Sequence, residues 1–119
     1  MEKKNTGFIR IWFATIYSMK GLKAAFQSEA AIRQELAAMM LLIPLCFFMN
    51  VSTIERVIMI MSLCIVLIAE LLNTAVEALS DRVSTEVHIL IAKAKDIGSA
   101  AVFVALVQAV TVWLLIVFG

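Results

Sequence analysis

The chain has 119 residues, 63% hydrophobic and only 16% charged, with a formal net charge of +1, whereas soluble domains run at about 45–50% apolar and roughly 25% charged. A chain this short cannot hide so much apolar surface by folding on itself in water, so the composition defines an integral membrane protein. It also excludes a nucleic-acid module, since the near-neutral charge leaves no electrostatic footprint. Soluble kinases and Rossmann enzymes are excluded too, because the only four glycines, Gly7, Gly21, Gly98 and Gly119, cannot form a phosphate-cradling loop or a dinucleotide turn.

Residues 8–27 come first in the chain. Ile9, Trp12, Phe13, Ile16 and Met19 recur at helical spacing, with Arg10, Lys20 and Lys23 between them. This predicts an amphipathic helix lying on the membrane surface. Lys20 and Lys23 interrupt the apolar stretch and no small-residue cleavage site closes it, which argues against a signal peptide. A first spanning helix is expected over 30–49, with Arg33, Gln34 and Glu35 at its wet end and a mild kink at Pro44, whose ring leaves the Met40 carbonyl without a partner. A second is expected over 54–83. It reaches the roughly 20 residues that a span needs only if Glu70, Asn73 and Glu77 lie within it. A third is expected over 94–118, with Ala101, Ala105 and Ala109 forming a small-residue stripe suited to close helix packing. Cys46 and Cys64 fall at different depths in their spans, which fits packing roles better than a disulfide. The whole chain is therefore expected to be a single all-α membrane domain.

Six basic residues precede the first span, Lys3, Lys4, Arg10, Lys20, Lys23 and Arg33, against Arg56 alone in the first loop. Arg82, Lys93 and Lys95 lie in a second loop region expected over 80–96. The positive-inside rule then puts the N-terminus and the second loop in the cytoplasm and the C-terminus outside.

The chemistry concentrates in the stretch from Ala69 to Arg82. Glu70, Asn73, Glu77 and Asp81 are spaced by 3, 4 and 4, which stacks them on one helix face. Ionisable groups at membrane depth are costly to bury and usually mark function. The competing reading is a structural hydrogen-bond network between helices. Glu29, Glu35, Lys95 and Asp96 fall near the same boundary, with Glu86 and His88 in the cytoplasmic loop. Paired carboxylates hold Mg²⁺ together with substrate phosphates, and a lysine neutralises phosphate as a point charge. The set therefore points to metal–phosphate chemistry. Three spans cannot easily enclose such a site alone, so an oligomer with shared sites is expected.

Five segments carry a resemblance: G-F-x-R, S-x-K-G-L-x-A-A, E-A-A-x-R-Q-E, E-x-L-N-T-A-x-E and A-K-D-x-G-S-A-A. They stand at Gly7–Arg10, Ser18–Ala25, Glu29–Glu35, Glu70–Glu77 and Ala94–Ala101. In this order and over nearly the whole chain, the sequence resembles the small bacterial integral-membrane diacylglycerol kinases. The resemblance implies a homotrimer in the inner membrane that transfers a phosphoryl group from MgATP to diacylglycerol, giving phosphatidic acid. It implies Glu70 as general base and Glu29 and Glu77 as ligands of Mg²⁺. It implies ATP contacts from Arg10, Tyr17, Glu29, Glu77, Glu86, His88, Lys95 and Asp96. Glu35, Glu70, Ser99 and Trp113 would face the lipid, with Asn73 and Asp81 in support. Departures fall in the second loop. Val87 stands where the best-known members carry an aromatic, Ser84 and Ala92 replace glycines, and Ile89-Leu90-Ile91 is apolar enough to lean on the membrane. The alternatives are undecaprenol kinase, which shares E-x-x-N-x-x-x-E, a small proton-coupled transporter, and a non-catalytic assembly subunit.

Overall fold

The computed structural model describes residues 6–83 and 89–119. These form four helices, α1 (Gly7–Ser28), α2 (Ala30–Phe48), α3 (Thr53–Val83) and α4 (Ile89–Phe118). Three of them, α2, α3 and α4, are long and apolar enough to cross a membrane. The surface agrees with a lipid solvent. Large apolar side chains stand exposed along α3 and α4, among them Ile68, Leu72, Phe103 and Leu115. The buried apolar set is small, with Ile32, Cys46, Met59 and Val66 at its centre. In lipid, helices associate through close packing and polar contacts rather than through exclusion of water.

Helices α2 and α3 form a tight hairpin. Ser52 and Glu55 cap α3 reciprocally: the Glu55 N–H donates to Ser52 Oγ at 3.1 Å, and the Ser52 N–H donates to Glu55 Oε1 at 2.9 Å. This is a capping box, and its S-x-x-E signature stands in the sequence as Ser52–Glu55. Arg56, one residue later, closes the other side of the turn. Its Nε donates to the Cys46 carbonyl at 3.1 Å, and its Nη2 donates to the Met49 and Val51 carbonyls at 3.2 Å each. The Cys46 and Met49 carbonyls lie at the end of α2, where intrahelical partners run out, and Val51 lies in the turn. Cys46 Sγ lies 3.8 Å from Met59 Sδ and is buried, and both cysteines are free thiols. Helix α2 runs unbroken through Pro44.

Helices α3 and α4 pack along most of their length, and Val66 meets Ala105 and Ala109 with Ala69 at the margin. Two members of the expected alanine stripe are thus buried, while Ala101 lines an open groove beside α3. Polar groups seal this contact toward the hairpin end. Gln108 Nε2 donates to the Ser62 and Ala105 carbonyls at 2.8 and 2.9 Å. Trp113 Nε1 donates to Ser62 Oγ at 3.1 Å and to the Met59 carbonyl at 3.2 Å.

The fold corrects one boundary. Helix α4 begins at Ile89 rather than at 94, so the later part of the region expected as a loop over 80–96 is helix, while α3 ends at Val83, the limit expected for the second span. Ile89 to Ala94 contains no glycine or proline. Ala92 and Leu90 are good helix formers, so nothing there stops the helix from starting earlier. Ile89-Leu90-Ile91 is therefore the first turn of α4. Ser84, Glu86, Val87 and His88 lie outside the described residues.

Candidate functional site

The end of the bundle opposite the hairpin is where α1 joins α2 and where α3 and α4 are longest. At 1.5 Å per residue, the 31 residues of α3 extend about 46 Å, well beyond a hydrocarbon core of about 30 Å. The 30 residues of α4 give a similar excess. If both helices enter the hydrocarbon at the hairpin end, Glu77, Asp81, Lys95 and Asp96 stand at or beyond the opposite boundary. Glu70, two turns and about 10 Å back along the axis, stays within it.

Three elements bring carboxylates together here. Glu70 on α3 is opposed electrostatically by Glu29, from the α1–α2 junction, and by Glu77 one face-repeat further along α3. Glu35 on α2 is opposed in turn by Glu70. Cations that could neutralise them are engaged elsewhere. Lys95 Nζ donates to Asp81 Oδ1 at 2.7 Å, an exposed pair across α3 and α4, although its charge also reaches Glu77. Arg33 is bound to backbone carbonyls of α1. Among the described residues no hydrogen-bond donor reaches the carboxylates of Glu29, Glu70 or Glu77, and Glu35 Oε2 is buried without a partner. The competing reading, that Glu70 and Glu77 tie helices together by hydrogen bonds, therefore finds no such bonds here. A buried carboxylate with neither counter-ion nor donor is costly, and in a native protein such a group calls for an explanation, a catalytic role or a bound ion among them.

Asn73 lies between Glu70 and Glu77 on the same face. Its Oδ1 is also buried without a partner, pressed against α4 where Gly98 supplies no side chain. A Cβ at Gly98 would occupy the space of the Asn73 amide. Gly98 was not singled out as a site residue from the sequence. The available signal was a glycine three residues after Lys95 inside a helical pattern, where it costs about 1 kcal/mol relative to alanine and so requires a packing reason.

The remaining expected site residues divide into two groups. Glu35 and Trp113 line one groove of about 320 Å³, whose walls include Leu63, Val66 and Ala109. Ser99 is exposed on α4 and does not line that groove. Asp96 is exposed beside Lys95. Arg10 and Tyr17 are exposed on α1, where the Tyr17 ring stacks on Phe13 at 6.4 Å and lies 5.9 Å from Lys20 Nζ. Among the described residues no hydrogen bond or ion pair joins Arg10 or Tyr17 to the acids of α3. Glu86 and His88 lie outside the described residues.

Among the described residues no group of three or more His, Cys, Asp or Glu side chains is arranged to hold a metal unaided. The donor set nevertheless fits one kind of ion. Carboxylates are hard oxygen donors, and Mg²⁺ is commonly bound by one or two of them with phosphate oxygens and water completing the shell. Glu29 and Glu77, both unpaired and both near Glu70, fit a divalent cation that arrives with a phosphorylated ligand.

These observations define a class: a multi-pass helical membrane protein with an uncompensated acidic site at one end of its bundle. The chain belongs to the prokaryotic diacylglycerol kinase family, whose pattern matches residues 16–117. It is 45% identical over 119 residues to a diacylglycerol kinase of Escherichia coli strain K12, covering 100% of this chain and 98% of the relative. It is 50% identical over 117 residues to one from Pseudomonas aeruginosa, covering 98% and 95%. A third, from Helicobacter pylori, is 34% identical over 110 residues, covering 92% and 86%.

Proposed function

We propose that this protein is an ATP-dependent diacylglycerol kinase of the bacterial cytoplasmic membrane. The observation that carries the reading is the convergence of Glu29, Glu35, Glu70 and Glu77 with no salt bridge to any of them among the described residues, beside the Lys95–Asp81 pair. The names of its relatives support diacylglycerol as the acceptor.

In this reading Glu70 accepts the proton of the diacylglycerol hydroxyl as its oxygen attacks the γ-phosphorus of ATP. The bond to the β-phosphate oxygen breaks, ADP leaves and phosphatidic acid remains. Glu70 is suited to the task by depth, because lipid hydroxyls sit near the headgroup–acyl boundary while ATP stays in water. Glu29 and Glu77 would hold a Mg²⁺ that arrives with the nucleotide, and its chemistry there would be charge neutralisation of the transferring group. Lys95 adds a positive charge near the same phosphates, and Asp81 keeps it at the mouth of the site. Arg10, Tyr17, Glu86, His88 and Asp96 contact the nucleotide. Glu35, Ser99 and Trp113 face the lipid, and the groove between Glu35 and Trp113 supports a course for an acyl chain. Asn73 keeps the face between the two acids open by packing against Gly98.

The N-terminus and the connection between α3 and α4 face the cytoplasm, and the C-terminus lies outside. Ser52→Cys, in a background lacking Cys46 and Cys64, reacts with an impermeant thiol reagent in intact cells on this reading, while Thr85→Cys reacts only after lysis. The chain works as a homotrimer with shared sites. Two hollows that it leaves unfilled, beside Asn73 and between α1 and α3, support this, and the mass of the detergent-solubilised complex tests it.

Purified protein in mixed micelles, given radiolabelled ATP with Mg²⁺, transfers label to diacylglycerol. Label appearing only in undecaprenol moves the reading to that sister activity, and transfer to neither lipid overturns it.

A further inference from the structure

Helices α1 and α2 are separated by a single residue, and that residue is Glu29. It alone leaves helical geometry, with φ −122° and ψ 116°. Its backbone serves both helices. The Glu29 N–H donates to the Ala25 carbonyl at 2.9 Å, and the Glu29 carbonyl accepts the Arg33 N–H at 3.3 Å. The direction of the Glu29 carboxylate is therefore set by the angle between α1 and α2. Within one chain little else sets that angle, because Ala25 is the one buried residue of α1, and a cleft lined by Gly21, Ala25, Leu71 and Ala75 separates α1 from α3.

One side chain spans the joint. Arg33, in the first turn of α2, turns back so that its Nη1 donates to the Phe26 carbonyl at 2.6 Å and to the Gln27 carbonyl at 3.2 Å. These belong to the last turn of α1, whose carbonyls lack intrahelical partners and carry the negative end of the helix dipole. A guanidinium suits that position because it is always charged and offers several donors in a fixed plane. We propose that Arg33 is a positioning residue that clamps the end of α1 to α2, fixes the bend at Glu29 and so holds the Glu29 carboxylate beside Glu70. The metal consequence rests on the reading of Glu29 as a ligand, while the clamp itself does not.

The two parts are tested separately. Spin labels on Met19→Cys and Leu79→Cys, both exposed, in a background lacking Cys46 and Cys64, report the α1–α3 distance when labelled chains are diluted into unlabelled ones. Arg33→Gln broadens that distribution, and Arg33→Lys, which keeps the charge on a shorter stem, broadens it less. With a non-hydrolysable ATP analogue present, Mn²⁺ half-saturation read by electron paramagnetic resonance rises roughly tenfold in Arg33→Gln, the usual size of effect for losing a group that orients a metal ligand. The Arg33→Gln/Glu29→Gln double variant binds Mn²⁺ no more weakly than Glu29→Gln, because Arg33 acts through Glu29. An unchanged distance distribution in Arg33→Gln overturns the clamp. Additive losses in the double variant, or unchanged Mn²⁺ binding in Arg33→Gln where Glu29→Gln weakens it, overturn the positioning role. Unchanged Mn²⁺ binding in Glu29→Gln instead defeats its reading as a ligand, and the spin-label distances alone then decide the clamp.

Discussion

At the hairpin end, Arg56 saturates three carbonyls, Ser52 and Glu55 cap each other, and Ser62, Gln108 and Trp113 close a network between α3 and α4. At the opposite end, the same helices carry Glu35 and Asn73 with buried oxygens that have no partner, and Glu29, Glu70 and Glu77 with no donor among the described residues. Both ends place polar groups at membrane depth, where an unsatisfied group is expensive. The contrast separates polar residues that hold the bundle together from polar residues that nothing among the described residues satisfies. Satisfied groups rigidify, whereas like-charged, unsatisfied ones are destabilising.

The sharpest way to break this contrast is at its acidic extreme. Glu70→Gln is expected to lower turnover by roughly 10²–10⁴-fold, the usual worth of general base catalysis. It should leave the protein as resistant to thermal inactivation as before, or more so, because one member of a repelling set is gone. Glu77→Gln should instead weaken binding of a non-hydrolysable MgATP analogue, with Glu70→Gln nearly neutral in the same assay. Equal and severe losses of affinity in both would place Glu70 in the metal site. Normal turnover in Glu70→Gln would make the acidic end structural and remove the contrast.

Gly98→Ala tests whether the space that Gly98 leaves to the Asn73 amide matters. The added methyl collides with the Asn73 amide, and overpacking of this kind costs about 1–3 kcal/mol. We expect a loss of both stability and turnover, partly restored in Gly98→Ala/Asn73→Ala for stability but not for turnover. The hairpin end should respond in the opposite sense. Arg56→Met removes charged hydrogen bonds, expected to be worth roughly 1.5–3 kcal/mol, and shortens the half-life of thermal inactivation. Turnover per folded chain should stay within about twofold, well below the tenfold that 1.4 kcal/mol at the transition state would produce. The smallest effect belongs to Gln108→Leu, about 0.6 kcal/mol, the average for one interhelical polar contact in a membrane bundle. A large loss of activity in either hairpin-end variant would show that the two ends are coupled.

Much of this was legible in the amino-acid order. Three apolar segments announced the spans, and the spacing of Glu70, Asn73, Glu77 and Asp81 placed them on one face of a single helix, because the helical repeat determines which residues share a face. The S-x-x-E cap at Ser52 was readable for the same local reason. The start of α4 at Ile89 was not, since a run of apolar and good helix-forming residues reads equally well as a membrane-leaning loop or as the first turn of a helix. Arg33 and Arg56 are likewise only basic residues in the sequence. Their roles as clamps depend on carbonyls five to ten positions away, which only the helix ends and the turn bring within reach. The glycine at position 98 gains its meaning from Asn73, 25 residues earlier on another helix. The sequence by itself determined a three-span helical protein with an acidic face at one end, through hydropathy and helical period. Which acids meet, which cations are already engaged and which polar atoms are left without partners were decided by the tertiary structure, because hydrogen-bond satisfaction is a property of packed neighbours and not of spacing along one chain.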